Sequence, residues 1–139
     1  MDDDALIASA WAARERAYAP YSRFLVGAAV LTAGGVFTGC NVENAAYSAG
    51  ICAERTAASA AVAAGQRDLL VVVVVSSAPS PATPCGMCRQ FLFEFNPQMR
   101  VISEGMDGSR RTWKLSELLV EGFGPAALAE AAEPQPVAE

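Results

Sequence analysis

Residues 52–95 read CAERTAASAAVAAGQRDLLVVVVVSSAPSPATPCGMCRQFLFEF. The alanine-rich run at 52–64 is made of strong helix formers, and Gly65 supplies the residue that commonly ends a helix. Five valines then follow Leu69 and Leu70. β-branched residues without polar alternation form a central strand covered on both faces. The three prolines of 77–84 exclude regular structure there. Residues 86–95 resume a helical pattern. A doubly covered strand between two helices predicts a layered α/β domain.

Working outward, residues 4–18 form an amphipathic pattern carried by Leu6, Ile7, Ala10, Trp11 and Ala13, ended by Pro20. Residues 24–33 and 36–39 flank Gly34-Gly35 and predict a hairpin. Residues 41–51 are small and polar and read mostly as loop. Short strands are expected at 99–103 and 110–113, around Gly105 and Gly108, with a helical turn at 115–120. Residues 125–139 are rich in Ala, Pro and Glu, and read as a tail with at most one helical turn. A single domain is therefore expected over 1–124.

The chain has 139 residues, 53% hydrophobic and 18% charged, enough for one real core and outside the disordered range. Histidine is absent, which excludes Ser-His-Asp and Cys-His nucleophilic machinery and HExxH metal sites. The net charge of −5 arises mostly from Asp2, Asp3 and Asp4 at one end and Glu130, Glu133 and Glu139 at the other. Residues 5–124 hold ten basic and nine acidic side chains, too balanced for an extended basic patch, so no nucleic-acid partner is expected. The apolar run 69–75 is far too short to span a bilayer, and the opening MDDDALIASA lacks the basic start of a signal peptide. A cytoplasmic protein with reduced thiols and no membrane partner is the expectation.

Four cysteines are too few for a disulfide scaffold. Cys85 and Cys88 form a CxxC pair after Pro84, and Cys52 precedes Ala53-Glu54. Both groups fall at predicted helix starts, where free backbone N–H groups and the helix dipole favour thiolates. Three thiolates can hold one Zn²⁺ and leave a fourth position for water, as in catalytic zinc sites. The residues alone leave two other readings open: buried small hydrophobes, and a thioredoxin-like redox pair in Cys85-Gly86-Met87-Cys88. Cys40 has no partner at ligand spacing and reads as a packing residue.

Cys52-Ala53-Glu54 with Pro84-Cys85-Gly86-Met87-Cys88-Arg89-Gln90 resembles the zinc nucleoside deaminases, specifically the small three-cysteine cytidine deaminases. Tyr21-Ser22-x-Phe24-x-Val26-Gly27-Ala28, Gly39-x-Asn41-x-Glu43-Asn44-Ala45-x-Tyr47 and Leu118-Leu119…Phe123-Gly124 extend the similarity from about residue 18 to 124. Departures are Ser48, where many members carry Gly or Pro, and Val120, which replaces a common Pro. The resemblance implies a three-layer α/β/α cytidine-deaminase-like fold with a mixed central sheet of about five strands. It implies hydrolytic deamination of cytidine and deoxycytidine to uridine and deoxyuridine in pyrimidine salvage, with one Zn²⁺ per subunit held by Cys52, Cys85 and Cys88. Hydroxide formed at zinc would attack C4, with Glu54 as proton shuttle.

Three thiolates leave the site with a net negative charge, and the resemblance points to Arg55 as the cation that offsets it. It also assigns Asn41 and Glu43 to the ribose 3′-hydroxyl and Phe24 to stacking on the base. Ala45 and Tyr47 are expected near the 5′-hydroxyl, and Phe123 in the pocket of a neighbouring subunit. Together these imply a homotetramer with shared sites and a small nucleoside as the substrate.

Three rivals are weighed against this reading. The redox pair leaves Cys52-Ala53-Glu54 and Asn41-x-Glu43-Asn44 unexplained. Blasticidin-type deaminases share the cysteine motifs but lack the Asn-x-Glu-Asn motif, and a polynucleotide deaminase needs more basic surface. A purely structural zinc domain needs a fourth protein ligand, and none stands at suitable spacing.

Overall fold

The computed structural model describes residues 1–131. Helix α1 (Asp3–Arg14) begins where the Asp2 side chain accepts from the backbone N–H of Ala5, an N-cap that explains the acidic start. It stops short of the expected residue 18. The N–H of Tyr18 donates to the Asn41 carbonyl and its own carbonyl accepts from Glu43, so Tyr18 joins a bridge to the 41–43 segment instead of a helical turn. Strands β1 (Val26–Thr32) and β2 (Gly35–Cys40) make the expected hairpin. Thr32 pairs with Gly35, so the two-residue turn is Ala33-Gly34, one position earlier than the glycine pair suggested.

Helix α2 (Ala53–Ala63) follows a loop containing one 3-10 turn at Tyr47–Ala49. Strand β3 (Leu69–Ser76) leads to helix α3 (Gly86–Phe93), strands β4 (Arg100–Glu104) and β5 (Arg110–Lys114), and helix α4 (Leu115–Leu118). Pro125–Ala131 forms helix α5, longer than the single turn expected of the tail. The rest of that tail, 132–139, lies outside the described residues. Among the described residues no helix is long and apolar enough to cross a membrane.

The sheet is mixed and five-stranded, as expected, and its strands lie in the order β2-β1-β3-β4-β5. Only β3 and β4 run parallel, joined by the crossover through α3. The valines of β3 divide between two cores. Val72 packs with Ala28, Val30, Val101 and the alanines of α2, while Val71, Val73 and Val75 pack with Leu6, Ile7, Ala10 and Ile102. The strand is therefore covered by α1 on one face and by α2 and α3 on the other. Two glycines set how closely those layers approach. A Cβ at Gly27 would lie 2.1 Å from the Ala10 carbonyl oxygen of α1, and one at Gly39 would lie 2.5 Å from the Ala57 nitrogen of α2. Small residues at these points let helix backbones sit directly on the sheet.

Candidate active site

Cys52 and Cys85 are the N-cap residues of α2 and α3, and neither uses its side chain to cap the helix. Both thiols are free to point at the space between the two helix starts. Cys88 lies in the first turn of α3 and is fully buried. The three sulfur atoms lie within 4.8 Å of one another, and Cys52 Sγ is 3.7 Å from Cys85 Sγ. Zinc–sulfur bonds of about 2.3 Å in a tetrahedron put sulfurs roughly 3.8 Å apart. One edge of the cluster is already at that separation. Soft thiolates at two helix N-termini fit zinc in chemistry as well as in spacing. Three protein ligands would leave a zinc ion one further coordination position for water.

The electrostatics agree with a metal site. The Cys52 thiol is brought down to about 5, first by hydrogen bonding from Cys88, with Arg55 and Cys85 adding to it against the opposing effect of burial. Cys88 is pushed up by the same bond and by burial. Arg55 Nη2 donates to Cys52 Sγ at 3.5 Å, and that bond is the main reason its own pKa rises. Glu54, only 4% exposed, is pushed above the usual carboxylate range by burial. Its own backbone N–H opposes the shift, and the Cys52 thiolate reinforces it. A carboxyl group that can both hold and release a proton thus stands at the thiol cluster.

These groups open into a cleft of about 840 Å³. Phe24, Asn41, Glu43, Tyr47, Cys52, Glu54, Arg55 and Cys85 all line it, so most of the residues expected from sequence converge there. Ala45 and Phe123 are not among the lining residues. Phe123 is 57% exposed, with its carbonyl accepting from Gln90 Nε2 at 2.7 Å. Tyr47 is 80% exposed and meets Tyr21 edge to face, 5.9 Å between centroids.

Asn41 and Glu43 are less free than their loop position suggested. Asn41 donates through Nδ2 to the Phe24 carbonyl at 2.7 Å and accepts at Oδ1 from the Val26 N–H at 2.9 Å. Glu43 accepts from the N–H groups of Tyr21 and Ser22 and from the Ser22 hydroxyl, which hold its carboxyl below the usual range, the hydroxyl most strongly. Both side chains keep hydrogen-bonding capacity beyond these contacts.

Two contributors were not singled out from sequence. Arg89 donates to the Pro84 carbonyl (2.7 Å), the Leu118 carbonyl (2.8 Å) and Thr83 Oγ1 (2.8 Å), tying the loop that carries Cys85 to α4. Ser22 links Glu43 to the Phe24 backbone. Both stood inside quoted motifs, but only their neighbours carried a recognisable chemical role.

Residues 1–104 match the family described as cytidine and deoxycytidylate deaminase zinc-binding region. A cytidine deaminase of Sporosarcina psychrophila is 44% identical over 135 residues, covering 96% of this chain and 99% of that protein. One of Mycobacterium tuberculosis is 41% identical over 125 residues, covering 89% and 91%. Among solved structures, cytidine deaminase from Burkholderia pseudomallei superposes with a TM-score of 0.85 at 48% identity, covering 88% of this chain and all (100%) of that one. The Mycobacterium tuberculosis structure gives 0.77 at 39% identity, covering 89% and 98%. Fold and length agree at these identities, the three-thiol cluster suits a zinc-binding region, and the chain belongs to the cytidine and deoxycytidylate deaminase family.

Proposed function

We propose that this chain is a zinc-dependent cytidine deaminase that converts cytidine and deoxycytidine, with one water, to uridine or deoxyuridine and ammonia. The observation that carries the reading is the position of Glu54, buried in the first turn of α2 beside three thiols that meet at two helix starts. Cys52, Cys85 and Cys88 would hold the zinc, which would supply a Lewis acid that makes water acidic enough to act as a nucleophile near neutral pH.

Glu54 takes a first proton from the water and delivers it to ring N3, then takes the remaining proton of that oxygen and delivers it to the leaving amine, so that both protons of the water are used. Its burial supports this, since desolvation raises its affinity for a proton above that of an ordinary carboxylate. Arg55 offsets the charge of the thiolates through its bond to Cys52. Phe24 stacks on the base, and Asn41 and Glu43 receive the 3′-hydroxyl with the capacity their backbone bonds leave over. Neither contact needs a 2′-hydroxyl, so both nucleosides are accepted.

A nucleoside suits this cleft better than a nucleotide. Arg55 is the one cation among the lining residues and is engaged with Cys52, while Glu43 and Glu54 are acidic. A phosphate has no partner there. Tyr47 and Phe123 are large, exposed and poorly covered within one chain. That exposure supports a homotetramer in which Phe123, Ala45 and Tyr47 serve neighbouring sites. The catalytic domain is 1–124, with 125–139 an appended tail, and reduced thiols fit a cytoplasmic location.

Ultraviolet-monitored conversion of cytidine and deoxycytidine tests the reading, with Glu54→Ala as the control. Turnover by the parent and its loss in the zinc-loaded variant is expected. A folded, zinc-loaded parent that converts neither nucleoside refutes the substrate assignment.

A further inference from the structure

The motif Tyr21-Ser22-x-Phe24 contributes only Phe24 to the function proposed above. We infer that Ser22 is a positioning residue: its single hydroxyl fixes the sugar-receiving carboxylate of Glu43 and the backbone of the base-stacking Phe24 in one rigid arrangement. The inference rests on the assignment of Glu43 and Phe24 to the nucleoside.

The geometry is specific. Ser22 donates its hydroxyl proton to Glu43 Oε2, and Ser22 Oγ itself accepts from the Phe24 N–H at 3.0 Å. The other carboxylate oxygen accepts from the N–H groups of Tyr21 at 3.0 Å and Ser22 at 3.1 Å. Between Ser22 and Phe24 the chain passes through Arg23 at φ 56°, a left-handed conformation that a residue with a Cβ rarely adopts. A turn of this kind persists where surrounding bonds over-determine it, and here those bonds converge on Ser22 and Glu43.

The consequence for binding is preorganisation. A glutamate at the lip of an open cleft would otherwise sample many rotamers, and an incoming hydroxyl would have to order it. Charge-assisted bonds from Ser22 complete that ordering beforehand and leave the outer lone pairs for the ligand. The same hydroxyl sets where the Phe24 backbone leaves the turn, while Asn41 Nδ2 holds the Phe24 carbonyl from the other side. Sugar recognition and base stacking therefore share one support.

The test uses the zinc-loaded full chain with Ser22→Ala, Ser22→Thr and Glu43→Gln, assayed on cytidine and on 2′,3′-dideoxycytidine, which lacks the 3′-hydroxyl. Ser22→Ala is expected to raise KM for cytidine roughly tenfold, the scale of one lost charge-assisted bond, with kcat changed less than about threefold. Ser22→Thr, which restores the hydroxyl, is expected to bring KM back to within about twofold of the parent. KM for the dideoxy substrate should rise by less, through Phe24 alone, because Glu43 has nothing to receive there. In Glu43→Gln the further change Ser22→Ala should add less than it does in the parent, only the part that reaches the base through Phe24. An equal loss for both substrates, or a fall in kcat at unchanged KM, overturns the inference in favour of a merely structural role. If Glu43→Gln raises KM for cytidine and Ser22→Ala does not, the inference alone fails. If Glu43→Gln also leaves KM unmoved, the sugar assignment of Glu43 fails and the inference falls with it.

Discussion

Gly39→Ala offers a measure of how closely the metal-bearing helix is pinned to the sheet. The new Cβ would lie 2.5 Å from the Ala57 nitrogen, 2.8 Å from the Ala53 carbonyl oxygen and 2.9 Å from Thr56 Cβ, all within the first turns of α2. Ordinary contact begins near 3.4 Å, so the helix start must retreat by roughly 1 Å. Two of the three obstacles are backbone atoms, which cannot rotate aside. That places the cost near 3 kcal/mol, the upper part of the usual range for overpacking. For a chain of this size the melting temperature should fall by about 10 °C. The retreating turn carries Cys52, Glu54 and Arg55, and a misplacement of about 1 Å commonly costs on the order of a hundredfold in turnover.

Gly27→Ala is the matched control. Its Cβ would lie 2.1 Å from the Ala10 carbonyl oxygen of α1, on the opposite face, where no residue of the site is carried. Both variants should melt earlier in calorimetry, but only Gly39→Ala should lose zinc affinity and turnover at a temperature where both are folded. A Gly39→Ala protein with an unchanged melting temperature would refute the close approach. Equal loss of turnover in both variants would refute transmission through α2.

Cys85→Ser should reduce bound zinc, measured by elemental analysis, to well under one ion per chain, with earlier melting because the metal no longer stabilises the folded state; a fully loaded, active variant contradicts the three-thiol site. If Phe123 serves the proposed shared site, Phe123→Ala should raise KM for cytidine severalfold by removing a large aromatic contact; an unchanged KM removes Phe123 from the pocket. Arg100 donates to both oxygens of Asp3 at 3.1 and 2.9 Å, and this bond, with the positive charge behind it, holds the Asp3 carboxyl below its ordinary 3.8. A carboxyl depressed in the folded state stabilises above its unfolded pKa, and the benefit is lost as pH falls through the folded value. Because the pair is half exposed, solvent screening limits it to about 0.5 kcal/mol, so Arg100→Gln should lower the melting temperature slightly at pH 7 and not at all near pH 2.

The sequence by itself determined the elements and the chemistry. The valine run of β3, the alanines of α2 and the prolines between 77 and 84 each encode a local preference that needs no distant partner. The cysteines at two helix starts and Glu54 pointed to a metal and an acid–base group through their resemblance to the three-cysteine deaminases, whereas the meeting of Cys52 with Cys85, 33 residues apart, is a tertiary contact. What tertiary structure decided was everything set by partners remote in the chain. Residue type could not tell that β3 would run antiparallel to β1 and parallel to β4, since a uniform apolar strand is compatible with either. The early end of α1 followed from Tyr18 pairing with residues 41–43, and local helix propensity has no access to that competition. Asn41 and Glu43 looked like free hydrogen-bonding groups in a loop, yet both are anchored to the turn at 21–26, twenty residues away. A side chain's hydrogen-bonding capacity is written in its covalent structure, but the capacity left for a ligand depends on which backbone groups the fold brings to it.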